Sequence, residues 1–294
     1  MRSLARTLGF IWRHPVTRRN RVRALLDYAR WQVGSRLVPG PVVAPFIGGT
    51  RLVVEPGMTG ATGNLYVGLH EFEDMAFVLH LLRPDELFAD VGANVGSYTI
   101  LAAGAAGARV VAFEPIPATF DRLRRNIALN ALDPRVDARC AGVGARAETL
   151  TFTSDRDTTN QVLRDGDDTV GPTVAVPVVR LDDALAGAVP AVLKVDVEGF
   201  EGEVLDGAAA TLSDPGLIGL VIELAPGRGY AIADLHARIV AHGLIPVRYA
   251  PFERALTAAD PRPGHGNALY VRDLAAARAR VAAAPQQRVK GVVI

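Results

Sequence analysis

The sequence predicts an α/β fold, a mainly parallel seven-stranded sheet with helices on both faces, preceded by a helical extension and a hairpin. Three observations predict it. From residue 87 onward, apolar strand-like runs alternate with helix-like runs, the pattern of strands joined by crossover helices. The first strand-like run, Leu87-Phe88-Ala89, passes straight into a tight glycine turn that opens a helix, Asp90-Val91-Gly92-Ala93-Asn94-Val95-Gly96-Ser97-Tyr98-Thr99. And 294 residues, 49% of them apolar, can fill one core of this size and still carry appendages.

Taken in order, residues 1–45 form a basic extension. Leu4, Leu8, Ile11 and Trp12, then Val22, Leu25, Leu26 and Ala29, recur at helical spacing and predict two amphipathic helices separated near Pro15. Residues 46–273 form the main domain. Within it, Arg51-Leu52-Val53-Val54-Glu55 and Asn64-Leu65-Tyr66-Val67 alternate as a hairpin over 51–67, turned at Pro56-Gly57. A helix over 71–82 carries Glu71 and Asp74 in its first turn, where acidic residues complement the helix dipole. Strands follow at 87–91, 109–113 and 135–140, with helices at 96–105 and 117–130 between them. An insertion at 149–180, with strand-like flanks and an Asp-rich centre at 154–173, is expected to border the substrate pocket through Thr158, Thr159 and Asn160. Strands at 191–197, 217–224, 244–249 and 267–272 complete the sheet, and 274–294 read as an Ala/Arg-rich tail.

The glycine turn excludes a dinucleotide fingerprint, because Asn94 stands where G-x-G-x-x-G requires glycine. Gly92 and Gly96 still let a ligand approach the first helical N–H groups. An acid opening such a loop suits a ligand with a cationic amino-acid portion, and S-adenosylmethionine carries an ammonium and a sulfonium with no phosphate. Asp90 is expected to face that cation. Glu114, 24 positions after Asp90 and followed by Pro115 at the end of the second strand, has the spacing of a carboxylate that accepts both ribose hydroxyls. Glu71 is a further candidate to touch the cofactor. The competing account of Asp90 and Glu114 is helix capping.

Lys194, Asp196 and Glu198 alternate with Leu193, Val195 and Val197, so the three charges project from one side of a buried strand. Ligands of open α/β sheets bind beyond the carboxyl ends of the strands, which puts Asp196 and Glu198 on the reactive rim and Lys194 deeper, paired with a carboxylate. Asp196, then Glu198, then His265 are the candidate proton acceptors. Asp196 and Glu223 also offer hard oxygen ligands to a divalent metal, but they do not make a complete ligand set.

The same motifs, together with Phe113-Glu114-Pro115, Leu123-Arg124-Arg125-Asn126-Ile127-Ala128-Leu129-Asn130 and Leu193-Lys194-Val195-Asp196-Val197-Glu198-Gly199-Phe200-Glu201, resemble the successive motifs of FkbM-type methyltransferases over about residues 64–273. The resemblance implies a Rossmann-like class I methyltransferase fold whose final strand is antiparallel. It also implies S-adenosylmethionine as donor and a hydroxyl on a sugar, glycan or other natural product as acceptor. The cofactor residues it implies are Asp90, Gly92, Asn94, Gly96, Ser97, Tyr98 and Thr99 of the loop, with Glu71, Glu114 and Pro115. An NAD-dependent oxidoreductase and a non-catalytic cofactor-binding scaffold are the alternatives.

A net charge of +1 gives no global field for nucleic acid, and the single Cys140 excludes an intramolecular disulfide. No run approaches the ~20 apolar residues of a membrane span. A cytoplasmic enzyme is expected, with the basic N-terminal helices packed on the main domain or a second subunit, or lying on an anionic membrane.

Overall fold

Six strands of the main sheet share one direction, because the crossover segments between them, most of them helical, return the chain to the same end of the sheet. The computed structural model describes residues 2–37, 40–56, 58–154, 161–163, 171–225, 230–260 and 266–294. Helices α1 (Arg2–Arg13) and α2 (Arg21–Leu37) come first, followed by strands β1 (Val42–Pro45) and β2 (Arg51–Val54) and helices α3 (Thr59–Val67) and α4 (Phe72–Leu81). The main sheet then begins with β3 (Leu87–Val91), α5 (Ser97–Ile100, continued as a π-helical turn to Ala105), β4 (Arg109–Phe113), α6 (Pro117–Leu129) and β5 (Val136–Arg139). Strands β6 (Gly142–Val143), β7 (Glu148–Thr153) and β8 (Thr173–Val179) form a separate three-stranded sheet. After α7 (Leu181–Leu185) the main sheet resumes with β9 (Val192–Val195), α8 (Glu201–Gly207), α9 (Ala209–Ser213), β10 (Gly219–Glu223), α10 (Ile232–Ala241), β11 (Ile245–Ala250), β12 (Ala255–Ala258) and β13 (Asn267–Val271).

The strand order is β12-β11-β13-β10-β9-β3-β4-β5. Strands β5, β4, β3, β9 and β10 are mutually parallel, and β13 inserts antiparallel between β10 and β11, which leaves β11 running with the other five. This is the Rossmann-like topology with an antiparallel last strand. Among the described residues the sheet has eight strands rather than the expected seven, because Ala255–Ala258 doubles back on β11 as an antiparallel edge.

Strand alternation divides the core. Phe88, Val110, Val192 and Val221 face one side, with α4, α6 and Ile100-Leu101. Leu193, Val195, Leu220 and Ile222 face the other, with Val204 and Leu205 of α8 and Leu235 and Ile239 of α10. Each such buried side chain stabilises by about 1.5–3 kcal/mol relative to exposure.

The hairpin expected at 51–67 lies elsewhere. Arg51–Val54 pairs antiparallel with Val42–Pro45, and Thr59–Val67 is a helix. Asn64–Val67 is too short to separate period 2 from helical spacing, and the buried residues Met58, Ala61, Asn64 and Val67 recur every three positions. The helical stretch after β9 breaks at Ala208 into α8 and α9. Residues 274–294 are folded, as α11 (Leu274–Ala282), capped by Asp273, and the hairpin β14 (Arg288–Val289)/β15 (Val292–Val293). Ala277, Val281, Val289 and Ile294 are buried in the core, and Lys290 reaches Asp27 of α2 at 2.8 Å. Among the described residues no helix is long and apolar enough to cross a membrane.

Candidate functional site

A cleft of about 260 Å³ opens at the carboxyl ends of β3, β4 and β9, where an open α/β sheet binds its ligands. The turn after β3 forms its floor. Gly92 has φ +80°, and a Cβ there would lie 1.8 Å from the Asp196 carbonyl oxygen, so only glycine lets the two strand ends close on each other. Gly96, at φ +95°, sits against Leu123 of α6, where a Cβ would come within 2.6 Å of the side chain. The turn is held from outside as well. Asn126 donates to the Val95 carbonyl at 2.7 Å and accepts from the Val53 N–H at 2.7 Å, while Asn130 makes two 2.8 Å bonds to the Arg51 backbone.

Glu114 forms one wall. Its Oε2 accepts from the Asn94 N–H at 3.0 Å and its Oε1 from the Ile116 N–H at 2.9 Å. Burial pushes its carboxyl up to about 7 against the pull of those two donors. Pro115, Asn94 and Ser97 line the same cleft, and Asn64 of α3 donates to the Ser97 hydroxyl at 3.0 Å. Tyr98, buried, donates to Glu71 Oε2 at 2.7 Å; burial and the neighbouring Glu71 and Asp74 carboxylates raise its phenol well above its usual range.

Asp90 does not reach the cleft. It is fully buried behind the turn, accepts from the Thr99 hydroxyl at 2.7 Å and stands in register with Lys194 on the adjacent β9. Burial raises its pKa, opposed chiefly by Lys194. The last residue but one of a fully buried strand, it faces the core, held by the Thr99 hydroxyl within the field of the Lys194 charge. Thr99 is buried with it, and Gly96 likewise does not line the cleft.

Lys194 is 3% exposed, and its Nζ lies 3.0 Å from Asp196 Oδ2 and 4.9 Å from the Tyr98 ring centroid. Burial opposes its charge, but Asp196, Asp90 and Glu71 outweigh that and raise its pKa. Asp196, its side chain 29% exposed, faces the cleft with Glu198 and Glu223. Oxygen atoms of these three carboxylates lie within 4.8 Å of one another, a grouping that could hold a hard divalent cation. Glu198 adopts φ +54°, and Glu201 follows it, buried, accepting from the Gly199 N–H at 3.1 Å. His265 and the insertion residues Thr158, Thr159 and Asn160 lie outside the described residues.

A second cavity of about 480 Å³ shares His70, Glu71, Asp196 and Glu223 with the first and extends to Phe10 and His14 of the N-terminal extension, Asp74 and Asn267. Asn267 donates to Asp74 at 3.0 Å, and burial, with Glu71 adding to it, pushes the Asp74 carboxyl up to about 7. The sequence did not single out Asn64, His70 or Asn267 as site residues. Asn64 and Asn267 are recruited across 33 and 193 positions of chain, to Ser97 and Asp74, so no local motif marks them, and His70 enters beside Glu71 through its backbone bond to Asn64.

The model of the methyltransferase FkbM domain matches residues 90–242, more than half of the chain. The chain belongs to the FkbM methyltransferase family. It is 28% identical over 207 residues to the 31-O-demethyl-FK506 methyltransferase FkbM of Streptomyces tacrolimicus, covering 55% of this chain and 79% of that protein. It is 30% identical over 162 residues to the hexuronic acid methyltransferase AglP of Haloferax volcanii, covering 53% and 63%. Against methyltransferase sdnD of Sordaria araneosa the identity is 31%, covering 46% of this chain and 65% of the relative, so the chain spans just under two thirds of these last two. A solved S-adenosylmethionine-dependent methyltransferase from Agrobacterium tumefaciens aligns over 80% of this chain and 71% of its own, with TM-score 0.45 and 11% identity.

Membership of this methyltransferase family makes S-adenosylmethionine the cofactor, and the cleft suits it. Among the described residues Glu71, Glu114, Asp196, Glu198 and Glu223 line it, with Lys194 as the one cation. Such a surface attracts an ammonium and a sulfonium and repels the pyrophosphate of a dinucleotide. Glu114 lines the cleft with acceptor capacity to spare, because a carboxylate oxygen already bonded to one N–H can accept a further hydrogen bond.

Proposed function

We propose that this FkbM-family enzyme methylates a hydroxyl oxygen of a sugar, glycan or other polyhydroxylated natural product, with Asp196 taking up the proton. The observation that carries the reading is the placement of Asp196 on the wall common to the two cavities, so that one carboxylate borders both the donor cleft and an adjoining chamber large enough for a sugar-sized acceptor. Two relatives, the 31-O-demethyl-FK506 methyltransferase and the hexuronic acid methyltransferase, support oxygen as the acceptor atom and a polyhydroxylated compound as its bearer.

S-Adenosylmethionine supplies an electrophilic methyl group on sulfur. The protein's share is positioning and proton uptake. Asn94, Glu114 and the glycine turn hold the nucleoside end. Glu71, just before α4 and fixed by the Tyr98 hydroxyl, is the acid for the amino-acid end. Alignment of an acceptor oxygen with a bound methyl group supplies much of the rate. Lys194 anchors Asp196 through Oδ2 from below, and the carboxylate remains open to the cleft to accept the hydroxyl proton. The contiguous Asp74–Asn267 pair and His70 offer hydrogen bonds to neighbouring hydroxyls of the acceptor.

The test is a panel of hydroxylated acceptors, uronic acids and macrolides among them, incubated with enzyme and methyl-labelled S-adenosylmethionine, with the product site fixed by NMR. An O-methyl product supports the reading. Label found only on nitrogen or carbon contradicts it.

A further inference from the structure

The N-terminal segment and the rest of the chain carry opposite charge. Of 32 basic and 31 acidic residues, residues 1–37 hold nine arginines and one acid, Asp27, leaving 23 basic and 30 acidic residues in the remainder. Asp27 is itself bonded to Lys290 at 2.8 Å, and among the described residues only Arg30 of the nine arginines forms an ion pair, at 3.9 Å to that same Asp27. The N-terminal segment therefore presents a concentrated positive surface on a nearly neutral protein.

Helix α2 combines this charge with a second apolar face. One side is anchored to the body: Ala24 and Trp31 are buried, Tyr28 meets the Tyr66 ring at 5.2 Å, and Gln32 donates to the Tyr66 hydroxyl at 3.4 Å. The other side is exposed. Val22 is 71%, Leu26 50%, Val33 59% and Leu37 75% exposed, and Ala29 is exposed between them. At about 100° per residue, these five fall within an arc of about 80° on the side of the helix opposite Ala24 and Trp31. Exposed Arg36 borders the arc on one side, and Arg30 and Arg23 border it on the other. A surface helix with one buried stripe needs no outward stripe. Four large aliphatic side chains aligned in water over a helix about 25 Å long mark a surface that something covers.

We propose that this outward face of α2 docks on an anionic lipid surface, with the aliphatic stripe entering the headgroup boundary and the flanking arginines pairing with lipid phosphates and carboxylates. Charge selects this occupant. A second copy of the chain meeting the stripe in a two-fold arrangement would set the same arginines against each other. An anionic bilayer neutralises them, and a helix with a narrow apolar stripe between arginines is suited to lying in the interface. The proposal is independent of the acceptor's identity.

The test is co-sedimentation of the full-length protein with vesicles of phosphatidylcholine alone or with one third phosphatidylglycerol, at low and high salt, alongside analytical ultracentrifugation without lipid. The protein partitions onto the anionic vesicles and not the neutral ones, and binding falls as salt rises. Leu26→Glu/Val33→Glu weakens partition by more than about tenfold, and so does Arg23→Glu/Arg30→Glu, at roughly fivefold or more per charge. All four positions are exposed, so melting temperature and S-adenosylhomocysteine affinity stay at wild-type values and report that the variants are folded. Equal binding to neutral vesicles, no binding to either, or a dimer that Leu26→Glu/Val33→Glu dissociates would overturn the proposal.

Discussion

Replacing Glu114 by alanine removes the acceptor of the Asn94 and Ile116 N–H groups and, with it, the acceptor we propose for two ribose hydroxyls. A hydrogen bond to a charged group contributes about 1.5–3 kcal/mol. Two such bonds, taken at the lower figure because water enters the vacated wall, amount to about 3 kcal/mol, or roughly 150-fold in Kd for S-adenosylhomocysteine. Glu114→Gln preserves shape and one acceptor oxygen but turns an NH2 toward an N–H donor, so about half the free energy is lost and Kd rises roughly tenfold. Isothermal titration calorimetry measures both. The pH dependence is the sharper readout. Burial raises Glu114 to about 7, and hydroxyl donors favour its ionised form, so binding expels a proton. Wild-type affinity should rise up to about tenfold per pH unit toward 7 and level off above it, with a buffer-dependent heat of proton release. In Glu114→Gln that dependence flattens; any residue traced by Asp74→Asn belongs to Asp74, which burial also raises to about 7. For the unliganded protein the sign is opposite. A raised carboxyl contributes stability that is full below its unfolded value near 4.3 and is lost as pH rises through 7, so Glu114→Gln gains stability relative to wild type over that window. A Glu114→Ala protein that binds S-adenosylhomocysteine within threefold of wild type, with unchanged pH dependence, would refute this account of the wall.

Three further outcomes follow from the same geometry. Asp196→Asn keeps S-adenosylhomocysteine affinity within a few fold and lowers kcat by about 100-fold or more, the size of a lost general base, measured on whichever acceptor the panel identifies. Activity survives treatment with a chelator if Asp196 acts as the base; loss of activity restored by Mg²⁺ would instead assign the Asp196, Glu198 and Glu223 grouping to a metal. Gly92→Ala drives a methyl group to 1.8 Å from the Asp196 carbonyl at a positive φ, and thermal unfolding should show a loss of at least about 2 kcal/mol or no soluble protein.

The parts legible in the sequence were those written locally. The glycine turn, Glu114 at the next strand end and the Lys194-Asp196-Glu198 alternation each lie within a few residues of a strand terminus, and periodicity locates strand termini. The motif alone suggests that Asp90 accepts a cation, but alternation along β3 sends it into the core in register with Lys194, and only the neighbouring strand reveals that. Asn126 and Asn130 stood in a recognisable run, yet their work of pinning β2 and the turn is done on backbone atoms more than 30 positions away. The 42–54 hairpin and the edge strand β12 escaped because four-residue segments carry too little pattern to separate strand from helix or loop.

The central claim is that the cleft takes S-adenosylmethionine and not a dinucleotide, and thermal unfolding with each ligand tests it directly. S-Adenosylhomocysteine at one hundred times its Kd should stabilise the protein by about 2.7 kcal/mol, a rise of roughly 5 °C in Tm, while NAD at the same concentration leaves Tm unchanged. A shift with NAD, or none with S-adenosylhomocysteine, would contradict the account.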